Sequence, residues 1–385
     1  MILMFLFSLI SVYVGFTSGA FKDNRSQDYQ WGPSKALLEH QNPFKQWIDY
    51  KDGKIDKPFM MSQAPNYPAS AYIFLWPYAS LDWESAKLSW AISNLIFTVM
   101  IFFWLKILFP IKRIDLQVFA VMIFIGGASW RTVLGNGQHS LFVIAFFIWA
   151  IVFANKSKLI SGLLLSIAWF KYTITFPLSL FFLYKKNYNV LLISTVIHII
   201  LTLFVSYWID QPVTQFFLGH VQVATTATGI GDIDIIGIVQ RYELPSFIAV
   251  VLGLILLAMV TRVIYQKKEP NDLLIISFLS FVSLALFFHL AYDFVVLIFP
   301  LWLLFSVKKF SKLFKGLLIG LIILKWYLMS VTNIFLIKLE YTMFSSLENL
   351  FVLSIIIIYY VILISMYREL TNTGKTQINR LVHKK

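Results

Sequence analysis

The chain has 385 residues, of which 59% are hydrophobic and only 13% charged, where soluble domains carry about 25% charged residues. Its formal net charge is +13, but the basic residues fall in short clusters between apolar runs, which orients a membrane protein and gives no grip on nucleic acid. There is no cysteine, so disulfides, thiol catalysis and cysteine-ligated metals are excluded.

Taken in chain order, MILMFLFSLISVYVGF predicts a first helix near 1–17. It reads as a retained helix and not a cleaved signal, because no Lys or Arg precedes Lys22. Residues 18–86 are too long for a tight connection and carry aromatic and polar residues suited to interfacial helices. Apolar runs long enough to cross about 30 Å of hydrocarbon follow near 87–109, 116–132, 138–155, 188–208, 246–265, 271–288, 293–307, 316–336 and 348–367. The expected fold is therefore all-α: a single polytopic membrane domain over 1–367, with about ten spanning helices and a basic cytoplasmic tail at 368–385.

The stretch 159–183 is the ambiguous one, long for one span and interrupted by Lys171 and Pro177. Charge parity decides how it crosses. The basic clusters at Lys112/Arg113, Lys156/Lys158, Lys185/Lys186, Arg262 to Lys268, Lys308 to Lys315 and the tail can all be cytoplasmic only if 159–183 enters and returns to the same side. A broken helical hairpin is expected there. Its tip must be buried in protein or line a wet cavity, since lipid cannot satisfy an open backbone. The same parity places 18–86 outside as a long first loop, together with the loop 209–245 and the short turns at 133–137 and 289–292.

Candidate chemistry gathers on that outer side. Asp28, beside Tyr29 and Trp31, is a carboxylate near the membrane surface, either a general base for an acceptor hydroxyl or a solvated loop residue. In GNGQHSLFVIAFF, the residues Asn136 to His139 read as a helix cap, as an anion or sugar site of free N–H groups with Gln138 and His139, or as both. His289 and Asp293, four residues apart, are a functional pair or a structural hydrogen bond. Lys171, about 18 Å from the cytoplasmic side at 1.5 Å per residue, reaches towards a lipid phosphate in the outer half or satisfies the carbonyls of its broken helix. His198 reads as packing, and His220, Asp232 and Asp234 in the external loop as solvated residues or, alternatively, as substrate contacts. GIGDID lacks the Lys-Ser/Thr of a phosphate loop.

Four stretches, in this order and spacing, resemble glycosyltransferase family 87 of the GT-C superfamily. They are QDYQWGPSKALLEHQNPF, YPASAYIFLWPYASLDWESAKLSW, GNGQHSLFVIAFF and ISGLLLSIAWFKYTITFPL, with HLAYDFVVLIFP as a weaker fifth. The likeness is strong from about residue 20 to 185. Ala69 stands where the family's Tyr-Pro-Pro stretch has its second proline, His139 and Ser140 surround the usual Asn, and no quick Pro follows Lys171. The resemblance implies a GT-C bundle that uses a polyprenyl-phosphate sugar, mannose-like, with Asp28 as the catalytic residue in the first external loop. Tyr67, Arg131, Gln138, His139, Lys171, His289 and Asp293 become candidates for donor and acceptor binding. No cofactor and no resident metal is implied. The partners are the lipid-linked sugar, a lipid or glycan acceptor and membrane lipids, at the extracytoplasmic face of the plasma (inner) membrane. A transporter or lipid flippase is the alternative. It predicts an internal repeat and polar groups on both faces, whereas the sequence has no repeat and gathers its polar groups on one face.

Overall fold

The computed structural model describes residues 2–22, 29–56, 64–227, 247–265, 271–287 and 289–306, with isolated positions between 235 and 245 and between 316 and 323. The predicted spans near 316–336 and 348–367, the basic tail, Asp28, Asp232 and Asp234 lie outside the described residues. All described regular structure is helical. The chain forms two compact units, residues 1–108 with 124–229, and residues 109–123 with 230–385.

In the first unit, α1 (Ile2–Phe21) has an inverted amphipathicity suited to lipid. Its small residues Ser8, Ser11, Gly15 and Gly19 are buried, while Ile2, Leu3, Phe5 and Ile10 are exposed. Small residues let backbones approach where lipid is as apolar as leucine. Ser11 Oγ donates to the Gly126 carbonyl at 3.1 Å, and a Cβ on Gly15 would stand 3.2 Å from the Arg131 carbonyl. Between α1 and the long α6 (Trp83–Leu108) come four short helices, α2 (Trp31–Leu38), α3 (Pro43–Lys51), α4 (Ala69–Tyr72) and α5 (Trp76–Ala79). Asn42 caps α3 by accepting the Phe44 and Lys45 N–H groups. Then α8 (Ala128–Asn136) follows α7 (Ile114–Gly126), most of which belongs to the second unit, across a 54° bend, and α9 (Ser140–Phe153) runs beside α6.

By length and composition, four helices could cross a membrane: Ile2–Phe21, Trp83–Leu108, Lys158–Tyr184 and Tyr188–Ile209. The bent α7–α8 pair makes five. The 27 residues Lys158–Tyr184 are long enough, but they do not run straight through. Lys158 Nζ donates to Asn187 Oδ1 at 2.6 Å, which brings the two ends of the segment together. It is a hairpin of α10 (Lys158–Ala168) and α11 (Tyr172–Tyr184), turning through a 3-10 stretch at Trp169–Lys171, as charge parity predicts. Ser161 Oγ donates to the Ala150 carbonyl on α9, and Ser194 Oγ to the Gly162 carbonyl from α12 (Tyr188–Ile209). The described α9 has 14 residues, shorter than the span predicted over 138–155.

Two expectations about capping and loops need correction. Asn136 does not cap α9. It closes α8, where Gly137 takes the left-handed conformation (φ 68°) and the N–H groups of Gly137 and Gln138 return to Leu134 and Val133. His139 stands at the N-terminus of α9 with no side-chain capping bond. The loop after Ile209 is not simply solvated, because α13 (Val213–Ala227) packs there against α3 and α12 and leaves His220 half-buried.

In the second unit α14 (Phe247–Tyr265) packs on α15 (Asp272–Leu286), where Gly253 makes room for Leu286. Asn271 caps α15 through the Leu273 and Leu274 N–H groups. Residues 273–285 of α15 are buried on every side, the pattern of an interior helix. A 3-10 stretch at Ala291–Leu297 leads into α16 (Ile298–Ser306), whose Trp302 Nε1 donates to the Phe109 carbonyl at 2.7 Å.

Candidate active site

One end of the first unit collects the sequence stretches singled out above. The turn 137–139 carries Gln138 (3% exposed) and His139 (0%) inward. The His139 Nε2–H donates to the Tyr29 carbonyl at 2.9 Å, tying this turn to the residue that follows Asp28. Gln30, next along, is buried in the left-handed region (φ 60°), which a non-glycine residue seldom occupies unless its surroundings hold it there. They do so here: Gln30 Oε1 accepts from the Tyr72 hydroxyl at 3.0 Å, and that hydroxyl accepts from the Tyr67 N–H at 3.3 Å.

The tip of the hairpin enters the same cluster. Phe170 lies 4.3 Å from the His139 ring and 4.8 Å from the Tyr67 ring, centre to centre. Lys171 is 5% exposed, and its ammonium donates to Gln138 Oε1 and Ser140 Oγ, both at 3.2 Å. The carbonyls opened by the helix break are met by Thr175, whose hydroxyl lies 2.8 Å from the Ala168 oxygen and 3.1 Å from that of Lys171. The Lys171 ammonium reaches Gln138 and Ser140. It sits at the N-terminus of α9, where the helix dipole adds positive potential and the first N–H groups have no partner within the helix. A lysine and a helix N-terminus together favour an anion such as a phosphate.

Aromatic rings wall the cluster on the other side. The Tyr29 ring stacks on Trp90 at 4.8 Å and on Trp83 at 6.4 Å, and Trp90 Nε1 donates to the Gly137 carbonyl at 2.9 Å. Burial first, and the neighbouring Tyr78 second, push the Tyr29 phenol well above its ordinary value, so it keeps its proton. Among the described residues its hydroxyl has no hydrogen-bond partner.

Sequence reasoning missed Lys87. Its side chain is fully buried, 2.9 Å from the Glu84 carboxylate and 5.5 Å from the centre of the Trp83 ring. The Glu-x-x-Lys spacing reads as an exposed surface pair, which concealed it. A cation near the N-terminus of α6 opposes the helix dipole and loses its hydration. The Glu84 carboxylate and the Trp83 ring offset part of that cost.

The other candidates lie apart from these contacts. Arg131 is half-buried on α8, five residues before that helix ends. His198 is no isolated packing residue. Its Nε2–H donates to the Ser166 carbonyl at 2.9 Å, its Nδ1 accepts from Ser70 at 2.8 Å, and its ring stacks on Trp169. It thus ties α12 to the hairpin and to α4.

In the second unit, His289 and Asp293 form a buried pair at 3.0 Å, although neither is on an α-helix. The remaining ring nitrogen of His289 lies 3.0 Å from the Ser283 carbonyl and 3.1 Å from its hydroxyl. Carboxylate and carbonyl are both acceptors, so the pair works as one hydrogen-bonded unit.

Described residues whose regular structure is all helical, with several helices long and apolar enough to cross a membrane, point to a multi-pass membrane protein. Residues 66–291, more than half of the chain, match Glycosyltransferase family 87, and the protein belongs to that family: it is a membrane glycosyltransferase. The match begins after the first-loop pattern around Asp28, and reaches further along the chain than the likeness over 20–185. No curated protein and no solved structure matches the chain.

Proposed function

We propose that the protein transfers a hexose, mannose-like, from a polyprenyl-phosphate donor to a lipid or glycan acceptor at the extracytoplasmic face of the plasma (inner) membrane. One observation carries this reading. The Lys171 ammonium and the N-terminus of α9 form an electropositive corner, and the same turn is hydrogen-bonded through His139 to Tyr29, the residue after Asp28. A phosphate in that corner would bring its sugar towards the Asp28 segment.

The reaction is a direct displacement. Asp28 takes the proton of an acceptor hydroxyl, whose oxygen bonds to the anomeric carbon. The bond from that carbon to the phosphate oxygen breaks, polyprenyl phosphate leaves with the electron pair, and the linkage inverts. The leaving monoester is already close to its final charge, so fixed cationic and N–H donors suffice to stabilise it. Lys171 and Gln138 would hold the phosphate, Tyr67 and His139 would border the sugar, and Arg131, His289 and Asp293 are further donor- or acceptor-binding candidates. The wider architecture of about ten spans, with the long first loop outside, belongs to the same reading, and its polyprenyl chain would lie among the helices.

The test is transfer by purified protein from a panel of polyprenyl-phosphate sugars, with Asp28→Asn and Asp28→Ala compared. Active wild type and folded but inactive variants that still bind donor are expected. Full turnover by the Asp28 variants would move the base elsewhere. A wild type inert on every donor that moves lipid or solute across vesicles would sink the reading.

A further inference from the structure

Away from the Lys171 cluster, α3 and α13 enclose a groove of about 350 Å³. Its polar lining is made of amides and a hydroxyl: Asn42 and Lys45 from the α3 side, and Thr214, Gln215 and Gln222 from α13, over the ring of Phe44. Among the described residues no carboxylate lines it.

The groove is held in shape. Asn42 Nδ2 donates to Gln211 Oε1 at 2.7 Å and to Gln215 Oε1 at 3.2 Å, while its Oδ1 caps α3. This clip engages the oxygen of the Gln215 amide and leaves its NH2 as a donor. Gly219 lets α13 pack directly on the buried Phe44 ring beneath the groove, because a Cβ there would stand 2.7 Å from Phe44 Cγ. Behind Phe44, at 6.3 Å between ring centres, lies Tyr72, the residue whose hydroxyl holds Gln30. Groove and cluster therefore share a wall. On the outer side of α13, Phe217, Leu218 and Val221 are exposed, an apolar shoulder beside a polar slot.

Amides and a hydroxyl offer both donors and acceptors, which suits the hydroxyls of a neutral sugar. With one cation and no carboxylate in its lining, the slot fits neither a polyanion nor a cation. We propose that the α3–α13 groove binds the neutral, hydroxyl-rich glycan headgroup of a lipid-anchored acceptor, whose chain runs over the Phe217–Val221 shoulder. The name acceptor rests on the transferase reading; the chemistry of the groove does not.

The test uses the full protein in lipid nanodiscs and an n-octyl mannoside carrying a diazirine, with cross-links mapped by mass spectrometry. Labelling is expected within residues 43–51 and 213–227. It should be competed by n-octyl mannoside and n-octyl glucoside, and not by the sugarless octyl tetraethylene glycol. The double variant Thr214→Val, Gln222→Met removes polar groups from exposed positions at little cost to folding. It should weaken labelling by about tenfold, the order expected for two lost hydrogen bonds, with an unchanged melting temperature. Labelling elsewhere, equal competition by the sugarless amphiphile, or undiminished labelling of the double variant would overturn the proposal. Labelling needs no turnover, so a wild type that transfers nothing yet labels here ends the transferase reading and keeps the groove. An active wild type whose acceptor KM is unmoved in the double variant ends the groove and keeps the reading.

Discussion

The Lys171 ammonium lies 3.2 Å from the Gln138 side-chain oxygen, although 33 residues separate them in the chain. Hydrogen bonds to a charged group are worth about 1.5–3 kcal/mol. If that ammonium also meets the donor phosphate, Lys171→Met raises the donor KM by about tenfold or more and leaves the protein folded. Lys171→Arg recovers only part, since a planar fork replaces a point charge. Steady-state transfer rates check this, and a wild-type KM in Lys171→Met would reduce the lysine to a strut.

Replacing Lys87 separates stability from activity. A buried charge exchanged for an apolar group of similar size is often neutral or stabilising. Lys87→Met is therefore expected to keep or raise the melting temperature while lowering kcat/KM. Glu84→Gln, which removes the carboxylate partner and leaves the charge buried, lowers the melting temperature instead. Unchanged transfer by Lys87→Met would make Lys87 a packing residue.

The base of the hairpin tolerates no added atom at Gly162, where a Cβ would lie 2.5 Å and 2.6 Å from Cγ2 and Cβ of Ile193. Overpacking of this kind costs about 1–3 kcal/mol. Gly162→Ala should melt earlier than wild type, and adding Ile193→Ala should return part of the loss. That non-additivity is readable in a double-mutant cycle. Additive losses would mean that the two helices are not in contact there.

A chain without native cysteine is ready for labelling by introduced ones. Asn155→Cys and Lys185→Cys, at the two ends of the hairpin, should react with a membrane-impermeant maleimide from the cytoplasmic side only. Asp52→Cys, on the stretch between α1 and α6, should react from the outside. Opposite labelling at 155 and 185 would turn the hairpin into a single crossing and invert everything after it.

The hairpin was legible because charge and length disagree openly at 159–183: a stretch long enough to cross, with lysines at both ends that the positive-inside rule assigns to one side. What stayed hidden was decided by contacts between distant residues. Asn136-Gly137 can open or close a helix, and only the return bonds to Val133 and Leu134 tell which. His198 looks partnerless along its own helix because its partners, Ser70 and Ser166, come from α4 and α10. Lys87 stands beside a glutamate at surface spacing, and its burial beside Trp83 was invisible in the sequence.

The bond from Lys158 to Asn187 and the Gly162–Ile193 contact pin the foot of a hairpin whose arms are 11 and 13 residues long. At 1.5 Å per residue such arms stop after about 16–20 Å, wherever the lipid surface happens to be. With the foot at the cytoplasmic boundary, as the charge pattern leads one to expect, Lys171 would be a ruler whose zero mark lies there. On the proposed reading, a lipid phosphate anchored at the far surface would draw away from it in a thicker bilayer, and bilayer thickness itself would then control turnover.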